Sequence, residues 1–180
     1  MNMQSQTFDA GRPGRESAAV LTLAAHLLCA DVGSGQCDAE SVASMARAMR
    51  SSYSGFSLAR ALEGDGWDVD DHLLERLLES DSYRSTAHRA AIAEWVTQRG
   101  IKPLREVGEA VSFIYRGATV SGEIVSIDLP QATYTVFVPS MGHVRAGLGV
   151  HGIIIPYEQV HNLCPGPESF RLEAQDAALV

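Results

Sequence analysis

Six histidines and three cysteines are the side chains of this sequence best suited to hold a metal. His26 and Cys29 stand three apart, and His161 and Cys164 repeat that spacing far along the chain. If the two pairs met in space they would supply the four nitrogen and sulfur ligands of a tetrahedral zinc site. Against this, the chain contains no Cys-x₂-Cys pair, and the two His/Cys pairs fall in segments of different periodicity. Buried structural thiols and an interfacial histidine account for the same letters, and His143, His151 and His161 are separated by irregular chain. The expectation is no metal and no cofactor.

The run Asp65-Gly66-Trp67-Asp68-Val69-Asp70-Asp71 has a carboxylate density that suggests calcium. An EF-hand loop needs oxygen ligands at its first, third and fifth positions, glycine at the sixth and glutamate at the twelfth, and no register here meets that pattern. Helix capping and the positive end of a helix dipole explain Asp68, Asp70 and Asp71 without a metal. Nucleophilic and phosphate chemistry lack their motifs: there is no Gly-x-Ser-x-Gly elbow, no Walker loop and no Gly-x-Gly-x-x-Gly after a strand. Gly147, Gly149 and Gly152 serve backbone turns in a hairpin region. The carboxylate pairs have no identifiable pocket in which to act as acid and base, so the chain is read as a non-enzyme.

Aromatic residues concentrate near the C-terminus, with Phe113, Tyr115, Tyr134, Phe137 and Tyr157 within one segment. Aromatic faces cage cations and stack bases when exposed. Phe113 and Tyr134 are expected to fill a core, and Tyr115 and Tyr157 to be exposed.

Charge is placed unevenly. The net charge is −8, and residues 61 to 81 hold Glu63, Asp65, Asp68, Asp70, Asp71, Glu75, Glu79 and Asp81 against Arg76 alone. Residues 82 to 104 reverse the sign with Arg84, Arg89, Arg99 and Lys102 against Glu94, and offer an internal partner for the acids. No basic stripe for gripping phosphates is present, which disfavours direct nucleic-acid binding.

The elements that must position these groups follow from periodicity. Residues 1 to 14 are polar and broken by Gly11, Pro13 and Gly14, and read as a disordered leader. From Arg15 to Val32, Val20, Leu21, Leu23, Ala24, Leu27 and Leu28 recur at helical spacing, with Gly33 and Gly35 as the stop. Asp38 caps a second helix through Arg50 that turns Val42, Met45, Ala46 and Met49 inward. Ser54 caps a third from Gly55 to Glu63, with Phe56, Ala59 and Leu62 on one side and Gly64 closing it. Asp68 is placed as cap of a fourth helix containing Leu73, Leu74, Leu77 and Leu78, whose outer face carries most of the acids. Asp81 or Ser82 caps a fifth with Ala91, Ile92, Trp95 and Val96, ending at Gly100 and Pro103.

At Gly108 the period changes from 3.6 to 2. Val111, Phe113 and Tyr115 alternate in a first strand that Gly117 breaks; Val120 to Leu129 is a second, with Gly122 at a bend; Thr133 to Val138 is a third. Pro139 to Gly142 turns the chain, His143 to Gly149 is compatible with either a strand or a loop, and Gly152 to Ile155 is the last long strand. The segment Gly152-Ile153-Ile154-Ile155-Pro156-Tyr157-Glu158-Gln159-Val160 resembles the end of an SH3-type barrel, in which a Gly-apolar-apolar-Pro strand is followed by one 3₁₀ turn and a final valine-led strand. The resemblance covers residues 108–163 and implies an SH3-like β-barrel. The Ala-Leu-Tyr-Asp-Tyr signature and acidic loop of peptide-binding SH3 domains are missing, so no polyproline ligand is implied.

The expected fold class is therefore α+β: a disordered leader over 1–14, a compact domain of about five helices over 15–103, an SH3-like barrel over 104–164 and a tail over 165–180. No run of 18 apolar residues occurs, and the first residues lack the basic flank and apolar stretch of a signal peptide, so the expectation is a cytoplasmic protein with no membrane partner. The expected function is a non-enzymatic protein–protein interaction module. Its partner-binding residues are Glu63, Asp65, Asp68, Asp70, Asp71, Glu75, Glu79, Tyr115 and Tyr157. The partner is a protein with a basic surface, of the kind that nucleic-acid-binding complexes carry. Two alternatives are compatible with the same charge map: an inhibitor of such a complex, of the sort mobile elements encode against host defence, with the acids as phosphate mimic; and a nucleic-acid-binding regulator with the helices as reader.

Overall fold

Cap chemistry sets the helix boundaries in the computed structural model, which describes residues 11–32, 38–141, 145–146, 149–150 and 152–162. The chain divides into two units, Met1–Lys102 with Pro130–Ala132, and Pro103–Leu129 with Thr133–Val180. Five helices lie in the first unit: α1 Ala18–Val32, α2 Ala39–Ser51, α3 Gly55–Gly64, α4 Asp71–Leu78 and α5 Ser80–Arg99. The Asp38 carboxylate accepts the Ser41 N–H at 2.8 Å at the start of α2, and this bonding to Ser41 holds its pKa below the usual carboxylate value. Ser54 and Ser57 exchange backbone bonds in a capping box that opens α3. Gly100, at φ 60°, closes α5, and the Ile101 N–H reaches back to the Val96 carbonyl at 3.1 Å.

Two expected caps are displaced. α4 is capped by Asp70, whose carboxylate accepts the Leu73 N–H at 2.8 Å, and not by Asp68. Residues 67 to 70 are non-helical, and the alternate side chains Trp67 and Val69 pack on the core, so the helix starts only after them. α5 follows α4 with Glu79 alone between them and has no side-chain cap, so neither Asp81 nor Ser82 caps it. Residues 11–14 of the expected leader are held in place: the Pro13 carbonyl accepts a bond from His88 Nε2 at 3.0 Å, and the Arg12 guanidinium lies 5.9 Å from the Trp95 ring centre. Residues 1–10, the Gly33/Gly35 stop and the 165–180 tail lie outside the described residues.

α1 is the hub of this unit, contacting α2, α4 and α5. Its Val20, Leu21, Ala24, Ala25, Leu28 and Cys29 are buried together with Met45 and Met49 of α2, Leu58 and Leu62 of α3, Leu73 and Leu77 of α4, and Ala87 of α5. On α3 the buried stripe is Gly55, Leu58, Ala59 and Leu62, an i, i+3, i+4, i+7 set. Phe56 lies off that stripe and is exposed, contrary to the expectation, as is Leu78 at the end of α4. Gly55 belongs to the stripe because nothing larger fits: a Cβ there would stand 2.5 Å from both the Leu77 carbonyl oxygen and the Leu78 Cα.

The second unit is a curled antiparallel sheet. Strands β1 Ala110–Tyr115, β2 Ala118–Asp128, β3 Thr133–Phe137, β6 Ile153–Pro156 and β7 His161–Asn162 are ordered β6-β3-β2-β1-β7, and β4 Arg145–Ala146 pairs with β5 Gly149–Val150 in a separate ribbon. Tyr115 pairs with Ala118 across a two-residue turn in which Arg116 and Gly117 have φ of 50° and 81°. Positive φ at both positions marks the turn whose twist suits a hairpin. A register shift between Ile124 and Ser126 bends β2. Gly122 stands where a Cβ would strike the Phe137 carbonyl oxygen and the Val136 side chain. Val111, Phe113, Ile124, Tyr134, Val136, Val138, Ile155 and Tyr157 are buried. The Tyr134 hydroxyl accepts the N–H groups of Leu104 and Arg105 at 3.0 and 3.1 Å.

Two tests follow from these contacts. Gly55→Ala should lower the urea stability of the helical unit by about 1–3 kcal/mol through overpacking against backbone. Gly64→Ala, where no atom lies within 4 Å of the added carbon, should instead gain about 0.5 kcal/mol. For Tyr134, burial raises the hydroxyl pKa above its ordinary 10.0, outweighing the two donated N–H bonds. The unfolded chain therefore loses this proton first, so its contribution is complete below about pH 10 and is lost as pH rises through the folded value. Melting curves taken between about pH 8 and 11 should fall more steeply for the wild type than for Tyr134→Phe, which at neutral pH should itself cost about 1 kcal/mol.

Candidate functional site

The acidic residues of the helical unit are set by three local devices: the end of α3, the extended chain of residues 67–70 and the first turns of α4. Asp65, Asp68 and Asp70 line one cleft of about 740 Å³, together with Trp67, His72 and, from α2, Glu40, Ser44 and Arg47. Glu63, Asp71, Glu75 and Glu79 do not line it. The expected acidic site is thus divided, with three members in a concave wall and four outside it.

A polar relay holds that wall. The buried Ser44 hydroxyl donates to Asp65 Oδ2 at 2.8 Å and accepts the Trp67 indole N–H at 3.1 Å. Arg47 approaches the same Asp65 oxygen at 3.7 Å. Glu40, Ser44 and Arg47 stand at i, i+4 and i+7, so one face of α2 supplies all three. That stripe was the sequence signal for the α2 side of the cleft. Ionised carboxylates only accept hydrogen bonds, so a wall of Glu40, Asp65, Asp68 and Asp70 is suited to ammonium and guanidinium groups.

The ion pairs of the acidic segment do not come from where charge alternation suggested. Asp65 pairs with Arg47, Glu79 with Arg76, and Asp81 with Arg15. Arg84, the first base of the positive segment, is buried and bonds to the backbone carbonyls of Met49 and Ser52. Among the described residues, Glu63, Asp68, Asp70, Asp71 and Glu75 have no ion pair. Asp31 serves a different purpose: it pairs with Arg76 at 3.4 Å and accepts the Tyr83 hydroxyl, whose pKa is raised by burial and then by that bond.

Of the two tyrosines expected on the sheet surface, Tyr157 is a correction. It is 5% exposed and stacks at a tilt on Tyr134, with ring centres 4.3 Å apart. The 3₁₀ turn Tyr157–Gln159 drops its ring into the sheet's concave core. Tyr115 is half-buried with the Arg116 guanidinium 5.3 Å from its ring centre. His26 is exposed and Cys29 is buried in the helical core, while Cys37, His143, His151 and Cys164 lie outside the described residues. No group of three or more potential metal ligands occurs among the described residues. No helix among them is long and apolar enough to cross a membrane.

The chain matches no protein-family model, no curated protein and no solved structure.

Because Ser44 is the shared partner of Asp65 and Trp67, Ser44→Ala should break both hydrogen bonds, leaving the Trp67 indole N–H unpartnered and Asp65 with Arg47 alone. The expected cost is about 1–2 kcal/mol, read as a lower urea midpoint with an unchanged denaturant slope.

Proposed function

We propose that this chain is a non-enzymatic, cytoplasmic protein–protein interaction module whose acidic helical unit binds a partner protein through a basic surface. One observation carries the reading: five acids between Glu63 and Glu75 have no ion pair among the described residues. Exposed internal pairs contribute only about 0–1 kcal/mol each, so folding alone gives little reason to gather so many like charges. Like charges so gathered raise the energy of the free molecule and lower it when a cationic surface arrives. A basic protein surface supplies that charge, whereas nucleic acid would bring phosphates toward carboxylates.

The sheet unit is proposed to be an SH3-like module that adds a second contact. The strand order β6-β3-β2-β1-β7 and the 3₁₀ turn between β6 and β7 support this resemblance. Tyr115 remains its candidate contact residue; Tyr157, being buried, does not.

The test is affinity purification of the chain from its source cells, with and without nuclease. The triple variant Asp68→Lys, Asp71→Lys and Glu75→Lys is run in parallel, and Asp70 is spared because it caps α4. A basic protein should co-elute with the wild type regardless of nuclease and should bind the variant at least about tenfold more weakly at low salt, chiefly through slower association. Undiminished capture by the variant would refute the acidic face. Loss of the partner on nuclease treatment would replace the protein partner with nucleic acid.

A further inference from the structure

Three large apolar side chains of the helical unit stand in water: Tyr53 is 100% exposed, Phe56 63% and Leu78 48%. Gly55 explains why they gather at one place. A Cβ on Gly55 would lie 2.5 Å from the Leu78 Cα and 2.7 Å from its nitrogen, so the start of α3 and the end of α4 meet backbone to backbone. Phe56 is one residue beyond that contact and Tyr53 two before it, each step spanning at most about 3.8 Å along the chain. Leu78 is the contact itself. Scattered apolar residues on a surface need no explanation, but two aromatics and a leucine at one junction, on backbone held by the Ser54/Ser57 capping box, have the make-up of an interface centre.

The surrounding charge identifies the occupant. Glu75 stands three residues before Leu78 on α4 and Glu79 directly after it, while Glu63 stands two turns beyond Phe56 on α3. Arg60 is the one cation of that α3 stripe, the exposed Arg50 stands three residues before Tyr53 at the end of α2, and the nearby Arg76 is already shared between Asp31 and Glu79. A second copy docking about a two-fold axis would press this acidic rim against itself. We propose that the Tyr53–Phe56–Leu78 patch docks a partner-protein segment that presents a large apolar side chain between lysines or arginines. This rests on the basic-partner reading and adds a division of labour. The acids speed the encounter, and the apolar patch slows departure.

Two short labelled peptides built from lysine and arginine test it, one with a central Leu-Trp pair and the other with Ala-Ala in its place, each titrated onto the full chain. The Leu-Trp peptide should bind about tenfold or more tightly. The double variant Phe56→Ser, Leu78→Ser should erase that advantage while leaving the Ala-Ala affinity unchanged. The triple lysine variant should weaken both peptides. Circular dichroism checks that the double variant folds; if it does not, Tyr53→Ser, which lies outside every helix, replaces it. Equal affinity of the two peptides for the wild type would overturn the patch and leave the basic-partner reading standing. Binding of neither would overturn both. Self-association of the wild type in sedimentation that disappears in the double variant would overturn the proposal in favour of a second copy.

Discussion

The helical unit turns on one buried guanidinium. The last carbonyls of an α-helix have no partner within it, and the end of a helix carries partial negative charge. Arg84 of α5 answers both needs at the end of α2, bonding to the carbonyls of Met49 and Ser52, the second at 3.0 Å, with Glu16 3.7 Å away. A buried cation without such acceptors costs several kcal/mol, so this arrangement tolerates few alternatives. It settles the direction in which the chain leaves α2, hence where Ser54 can cap α3 and where Gly55 can meet α4. The α3–α4 junction is downstream of it.

The acids occupy places that the fold leaves open and do little to hold it together. Asp70 sits at a helix N-terminus, where negative charge is favourable, and Asp65 is held by Ser44 and Arg47. The remaining members project from short elements whose inward faces are already filled by Leu62, Leu73 and Leu77. This separation of a leucine interior from a carboxylate exterior lets the exterior change sign without disturbing the interior. The same logic holds in the sheet unit, where Phe113, Tyr134 and Tyr157 spend their rings on the core and leave Tyr115 at the surface turn.

What sequence reasoning could reach was whatever depends on neighbours in the chain. The caps at Asp38 and Ser54 and the left-handed Gly100 are all decided within a few residues, and each stands where local chemistry places it. The five-helix, curled-sheet layout followed from the change of period at Gly108. The misplaced features depend on distant packing. Phe56 and Leu78 read as core until the approach of α3 to α4 sets which side of each helix is covered. Asp68 is not the cap, because Trp67 and Val69 pack on the core and keep that stretch extended. Arg84 looked like a surface cation, because nothing local announces that the end of another helix lies over it. The relay from Trp67 through Ser44 to Asp65 joins residues over 20 positions apart, beyond the reach of any periodicity.

The pairing of β7 with β1 bears on the order in which the sheet assembles. β1, β2 and β3 join through short connections, and the Arg116-Gly117 turn already favours the twist of the first hairpin, so these contacts close small loops. Among the described residues, β7 pairs with β1 at Val111–Asn162 and Ser112–His161, pairs separated by about fifty residues. A long loop must be closed before those rungs can form. The three-stranded meander should therefore seed this unit, with the closing strand joining only once that seed exists.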